Sequence, residues 1–207
     1  MVYCGHRLKT RAETAVPHPK LTFHPLTADR WKDIETLFGP RGACGGCWCM
    51  YWKQTASEFR SQAGAGNKRA FHRLVSKGMV PGIIAYDGIQ PVGWCAVEPR
   101  ENYPRLANSR VLAPVDEKPV WAVACLFVAR ACRLKGVSAQ LIKAAVQHVR
   151  EQGGHVVEGY PVDAKSKQPD AWIWTGPLAA FEQAGFKEVA RRSQTRPIVR
   201  KRVQKKG

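Results

Sequence analysis

Residues 120–150 read VWAVACLFVARACRLKGVSAQLIKAAVQHVR, and the change of rhythm inside this stretch decides the fold. From Val120 to Ala129 apolar side chains fill both alternating positions, with β-branched and aromatic residues prominent. That composition predicts a central strand covered on both faces. From Val137 the apolar residues Leu141, Ile142, Ala145, Val146 and Val149 fall at the spacing of a helix that lays one stripe on a sheet. The polar turn over residues 130–136 therefore stands at the carboxyl end of a strand and opens a helix.

Such a junction has a physical use. The first turn of a helix presents unpaired backbone N–H groups and a partial positive charge, which suits a phosphate. Gly136 permits close approach to the backbone, and Arg130, Arg133 and Lys135 add full charges. A basic strand-to-helix loop with no ligand has the same spacing, so these residues alone leave both readings open.

Val128, Arg133, Lys135, Gly136, Val137 and Ser138 resemble the acetyl-CoA signature R/Q-x-x-G-x-G/A of the GCN5-related N-acetyltransferase (GNAT) superfamily. Ser138 stands where glycine or alanine is usual. Roughly fifty residues on, Phe181-Glu182-Gln183-Ala184-Gly185-Phe186 is similar to the end of that family's last helix and its turn into the next strand. The resemblance covers about residues 21–203. It implies an α/β (α+β) fold: a twisted, mostly antiparallel sheet, a central parallel βαβ pair splayed for acetyl-CoA, and helices on both faces. It also implies that Leu126, Phe127 and Val128 meet the pantetheine arm. Arg133, Leu134, Lys135, Gly136, Val137, Ser138 and Ala139 would hold the pyrophosphate.

In 207 residues, 44% of them hydrophobic, there is material for one domain with a sizeable core. Residues 20–203 are expected to form it, with residues 1–19 a flexible basic extension and 204–207 a basic tail. No apolar run reaches the roughly 18–20 residues that span a bilayer, and the first twenty lack the apolar block of a secretory signal. A cytoplasmic protein with no membrane partner, a monomer or homodimer, is the expectation.

The net charge of +17 is uneven: residues 1–20 carry +3 and residues 188–207 carry +7. This balance favours anionic partners. Acetyl-CoA is one such partner; nucleic acid or the ribosome, met through the basic end, is the alternative, although no helix-turn-helix, finger or RNP-like sequence accompanies it.

Seven cysteines spread among apolar neighbours do not form a secreted disulfide framework. Cys44, Cys47 and Cys49 have the close spacing of zinc ligands, but a fourth ligand is not evident, with His72 and Cys95 the distant candidates. No metal is expected; buried small residues in a Gly-rich turn are the simpler reading.

In chain order, residues 20–26 read as a strand, and Thr27 as the cap of a helix to Phe38. Trp48, Tyr51 and Trp52 follow in an irregular segment, where they could simply cover the core. By resemblance, the segment borders the acceptor pocket, which makes the three side chains substrate-binding candidates. Ser57 is expected to cap a helix to about Ser76. Residues 82–86 and 92–97, separated by Asp87-Gly88, predict an antiparallel hairpin. A short helix near residues 103–108, a strand over 156–162 parallel to the central one, a polar loop with Trp172 and Trp174, a helix over 178–184 and a final antiparallel pair complete the chain.

The resemblance implies an N-acetyltransferase acting on a primary amine of a small molecule or peptide. Because an alkylammonium has no lone pair, such a reaction calls for a base. Glu158 and Glu98 are the candidates, each with an alternative as an ion-paired or solvent-facing carboxylate. The family's usual tyrosine acid has Phe181 in its place, so Tyr160 is the substitute candidate, or the thiolate leaves unaided. Cys125 could carry an acyl group, against the family's usual direct transfer.

Overall fold

The computed structural model describes residues 20–163 and 173–204. Seven strands form one sheet in the order β1-β2-β3-β4-β5-β7-β6. They are β1 Leu21–Pro25, β2 Gly82–Asp87, β3 Gln90–Pro99, β4 Trp121–Val128, β5 Val156–Gly159, β6 Lys187–Arg191 and β7 Pro197–Arg202. All neighbours are antiparallel except β4 and β5. This is the mixed sheet expected from the βαβ reading and the Asp87-Gly88 hairpin.

The helix α5, Val137–Glu151, joins β4 to β5. Leu141, Ile142, Ala145 and Val149 lie on its inner stripe and pack on Val97, Val123 and Leu126 of the sheet, together with α6, Leu178–Gln183. Leu141 and Ile142 are fully buried, which contributes roughly 1.5–3 kcal/mol each relative to exposure. The opposite face is covered by α1, Trp31–Phe38, and α3, Ala65–Ser76, whose Ile34, Phe38, Phe71 and Val75 pack on Ile84, Trp94 and Ala96.

Some boundaries differ from the sequence reading. Thr27 makes no cap to the helix backbone; its hydroxyl donates to Asp29 at 2.5 Å, a short 3-10 turn intervenes, and α1 starts at Trp31. The next helix is capped by Thr55 rather than Ser57: Thr55 and Glu58 exchange side-chain-to-backbone bonds in a capping box that opens α2, Ala56–Ser61. The expected single helix is broken at Gly64, whose φ of +78° suits glycine and whose N–H donates to the Gly46 carbonyl at 3.0 Å. Between β3 and β4, α4 spans only Pro104–Ala107. Strand β5 ends at Gly159, short of residue 162. Residues 1–19 and 205–207, and with them the expected extension and most of the tail, lie outside the described residues, as does Trp172. Among the described residues no helix is long and apolar enough to cross a membrane.

Candidate active site

The site originates in one extra residue. Ala96 pairs with Cys125 but Val97 pairs with Val123, so Ala124 has no partner on β3 and forms a bulge. Before it, Val123 faces α5; beyond it, Leu126 takes that face while Cys125 and Phe127 turn toward the α1 side. Pairing of β4 with β5 runs only from Trp121↔Val157 to Val123↔Gly159. The parallel strands part where the bulge begins.

The gap opens into a cleft of about 600 Å³ lined by Leu126, Phe127 and Val128, by residues of the 132–139 turn, and by Ile173, Trp174, Pro177 and Ala180. The Leu126 N–H already donates to the Trp174 carbonyl at 2.7 Å. Strand alternation leaves the Leu126 carbonyl and the Val128 N–H on the same cleft-facing edge, while Phe127 directs its backbone toward β3. At the far end Gly136 caps α5 with φ +74°, and the first amides of that helix, from Val137 to Ala139, border the cleft. Arg133 is anchored there by Nε donating to the Val128 carbonyl at 3.1 Å.

A second cavity of about 250 Å³ adjoins the first. Its walls are Phe38, Tyr51, Trp52, Phe59, Phe127 and Trp174, and its thiols are Cys44, Cys47, Cys49 and Cys125. Ala43, Cys44, Leu126, Phe127 and Trp174 border both spaces. The aromatic rings brace one another: Tyr51 meets Trp174 edge-on at 5.0 Å, and Trp52 lies 5.5 Å from Trp174. Trp52 Nε1 donates to the Ala124 carbonyl at 3.1 Å, tying the wall to the bulge.

The wall is built by a strained turn. Ala43, Trp48 and Cys49 all have positive φ, and a Cβ on Gly42 would stand 2.2 Å from the Trp48 ring. Asn67 Nδ2 holds the turn by donating to the Gly46 carbonyl at 3.1 Å, and Trp94 Nε1 donates to Cys49 Sγ at 2.9 Å.

A family model described as the acetyltransferase (GNAT) family matches residues 47–165, more than half of the chain. The chain belongs to this family. Solved structures agree at the level of fold for this GNAT acetyltransferase. A GNAT family acetyltransferase from Listeria monocytogenes is 10% identical with a TM-score of 0.54, over 88% of this chain and 94% of that one. A mosquito arylalkylamine N-acetyltransferase-like protein is 11% identical with a TM-score of 0.54, over 88% and 100%. The PaiA N-acetyltransferase of Thermoplasma acidophilum, in complex with coenzyme A, is 11% identical with a TM-score of 0.50, over 88% and 99%. No curated protein matches the chain.

Of the residues that sequence reading assigned to the cofactor, Leu126, Phe127, Val128, Arg133, Leu134, Gly136, Val137, Ser138 and Ala139 border the larger cleft, and Lys135 does not. Tyr51 and Trp52 border the smaller cavity. Trp48 does not; it is 3% exposed, stacked on Trp31 at 6.1 Å and edge-on to Phe38, because its left-handed backbone turns the indole into the core.

Glu98, Glu158 and Tyr160 border neither space in this GNAT acetyltransferase. Glu158 is fully buried, accepting from Arg100 at 2.8 Å, Arg200 at 2.7 Å and Tyr160 at 2.6 Å. Glu98 pairs with Lys53 and accepts from Asn102 at 3.3 Å. Burial, reinforced by the Glu158 charge, pushes the Tyr160 hydroxyl well above its ordinary value. Phe181, which the sequence resemblance set in place of the family's tyrosine, is fully buried edge-on to Phe186.

Among the described residues no group of three His, Cys, Asp or Glu has a metal-holding arrangement. His72 is instead packed edge-on to Trp31 at 4.6 Å. Sequence reasoning missed Phe38 and Phe59 as walls, which come from two different helices, and Ile173, Pro177 and Ala180 of the cleft. Trp174, placed in the polar loop by the sequence, turns out to border both spaces.

Proposed function

We propose that the chain transfers an acetyl group from acetyl-CoA to a primary amine of a small molecule or peptide, by direct attack of the amine on the thioester. The observation that carries this reading is the junction of the two cavities at Leu126, Phe127 and Trp174: a cleft ending at a helix N-terminus leads into a separate, smaller space walled by aromatic rings. The cleft suits the donor, since it offers a free strand edge for amide groups at one end and helix amides for a diphosphate at the other. Bound there, acetyl-CoA supplies an activated acyl group. Coenzyme A in the Thermoplasma structure, and the amine named for the mosquito protein, support the same assignment.

In this reading the Leu126 carbonyl and Val128 N–H align the pantetheine arm, residues 136–139 hold the diphosphate, and Tyr51, Trp52, Phe127 and Trp174 exclude water from the acceptor. Glu98 and Glu158, held in ion pairs, act as positioning residues that fix β3, β4 and β5 beneath the gap. The departing thiol, with an ordinary pKa near 8.5, leaves as thiolate without a dedicated acid. The test is thiol release from acetyl-CoA across a panel of amines, with mass spectrometry of the product. Acetylated amine supports the reading, and absence of both acetyl-CoA binding and thiol release overturns it.

The basic C-terminal stretch is largely engaged in the fold. Arg200 pairs with Glu158 and Asp116, Arg191 with Glu188 and Asp163, and Arg192 donates to the Ala113 and Pro114 carbonyls.

A further inference from the structure

The acceptor cavity has a chemical character that narrows the amine, on the basis of the acetyltransferase reading above. Its described lining is six aromatic rings, four thiols, Ala43 and Leu126, with no carboxylate. The titratable groups that face it are Cys44, Cys47, Cys49, Tyr51 and Cys125. Burial, followed by the neighbouring Cys49, raises the Cys47 thiol; its hydrogen bond to Cys49, followed by burial, raises Cys125, so both are uncharged near neutral pH.

The charges just behind the wall are positive. The Arg105 guanidinium lies 3.9 Å from the centre of the Tyr51 ring and donates to the Tyr51 carbonyl at 3.3 Å. Arg196 is also close enough to interact electrostatically with Tyr51, and it donates to Thr175 at 3.1 Å. Of the carboxylates on neighbouring elements, Glu98 is paired with Lys53, and Glu58 is turned back onto Thr55 in the capping box of α2. A second ammonium group in the cavity would lose its hydration and gain no counter-charge, which costs far more than an apolar group would.

Size sets the other limit. At about 30 Å³ per water volume, 250 Å³ accommodates roughly eight to ten non-hydrogen atoms. One aromatic ring with a two-carbon amine arm fills it.

We infer that the acceptor is a small aromatic monoamine that enters the cavity as its uncharged free base, and that polyamines are excluded. The lone pair is then already present, and the apolar wall favours the neutral form over the ammonium. Solvent takes the ammonium proton before entry, and the second proton, which nitrogen loses as the C–N bond forms and the C–S bond breaks, passes to the departing thiolate, so no enzyme carboxylate is needed inside the cavity.

The test compares kcat/KM for 2-phenylethylamine, the diamine cadaverine, spermidine and a short peptide with a free N-terminus, with acetyl-CoA binding measured in parallel by calorimetry. The expected result is at least a hundredfold preference for phenylethylamine. Its kcat/KM should rise about tenfold per pH unit until the pH reaches the amine's own pKa, and that limit should move when a ring-bearing amine of lower pKa replaces it. Phe59→Asp, at the half-exposed edge of the cavity, should shift the preference toward cadaverine by about tenfold. Preferred acetylation of a polyamine or peptide overturns the inference and leaves the acetyltransferase reading standing. So does a pH limit that stays fixed across amines and disappears in Glu98→Gln or Glu158→Gln. Failure to bind acetyl-CoA, with no thiol released by any amine, overturns both.

Discussion

Glu98 and Glu158 stand on either side of Ala122 in one cross-strand row, Glu98 opposite it on β3 and Glu158 opposite it on β5. Each is buried and each has a cationic partner drawn from elsewhere in the chain: Lys53 for Glu98, Arg100 and Arg200 for Glu158. Two carboxylates in one row of a sheet are stable only because the three cations reach them. The row therefore locks the strands at the point where β4 and β5 separate.

Glu158→Gln removes the buried carboxylate that Arg100 and Arg200 share, leaving Arg200 with Asp116 and Arg100 with the Leu106 and Leu112 carbonyls, a loss of up to about 3–5 kcal/mol, the range for a broken buried pair. Urea denaturation should show that fall, while kcat measured where the variant is still folded should stay within about threefold of the native value. A drop of a hundredfold or more at unchanged stability would make Glu158 a catalytic group instead.

Gly136 occupies left-handed backbone at the start of α5, and any side chain there costs about 1–2 kcal/mol while crowding the end of the cleft. Gly136→Val should abolish acetyl-CoA binding in calorimetry and leave the far-ultraviolet circular dichroism unchanged. Retained affinity would displace the diphosphate from the turn.

Cys125 lines the acceptor cavity, yet its hydrogen bond to Cys49 and its burial hold the thiol protonated. Cys125→Ala should keep turnover within about threefold, and initial-rate plots against both substrates should intersect. Parallel lines, together with an acylated cysteine in the intact mass, would show covalent transfer.

His148, in the last turn of α5, is 8% exposed and packs edge-on to Trp121 at 6.2 Å. Burial pushes its pKa below the ordinary 6.5, so the folded chain keeps the neutral ring while the unfolded chain takes up a proton first. Its contribution is complete above pH 6.5 and declines as the pH falls through that value. Denaturation at pH 7.5 and 5.5 should show a loss that is smaller in His148→Gln; an equal loss in both proteins would assign the acid sensitivity elsewhere.

The sheet and α5 were legible because their signals are local: apolar residues on both faces of β4, a helical stripe from Leu141 to Val149, and the Asp87-Gly88 turn signal, whose hairpin turns at Gly88 and Ile89. What escaped depends on partners distant in sequence. The bulge at Ala124 exists only relative to β3, and the break at Gly64 is fixed by the Gly46 carbonyl. The direction of Trp48 follows from left-handed backbone that an apolar sequence does not announce. Arg100 lies two residues from Glu98 in sequence, but the fold gives Arg100 to Glu158 and brings Lys53 to Glu98 instead.

Trp174 belongs to both spaces at once, its carbonyl fastened to the Leu126 N–H and its indole packed on Tyr51 and Trp52. Whatever occupies one chamber therefore leans on the side of the other. A ligand in one chamber that shifts this ring would change the affinity of a ligand in the other, and by thermodynamic reciprocity the factor would be the same in both directions.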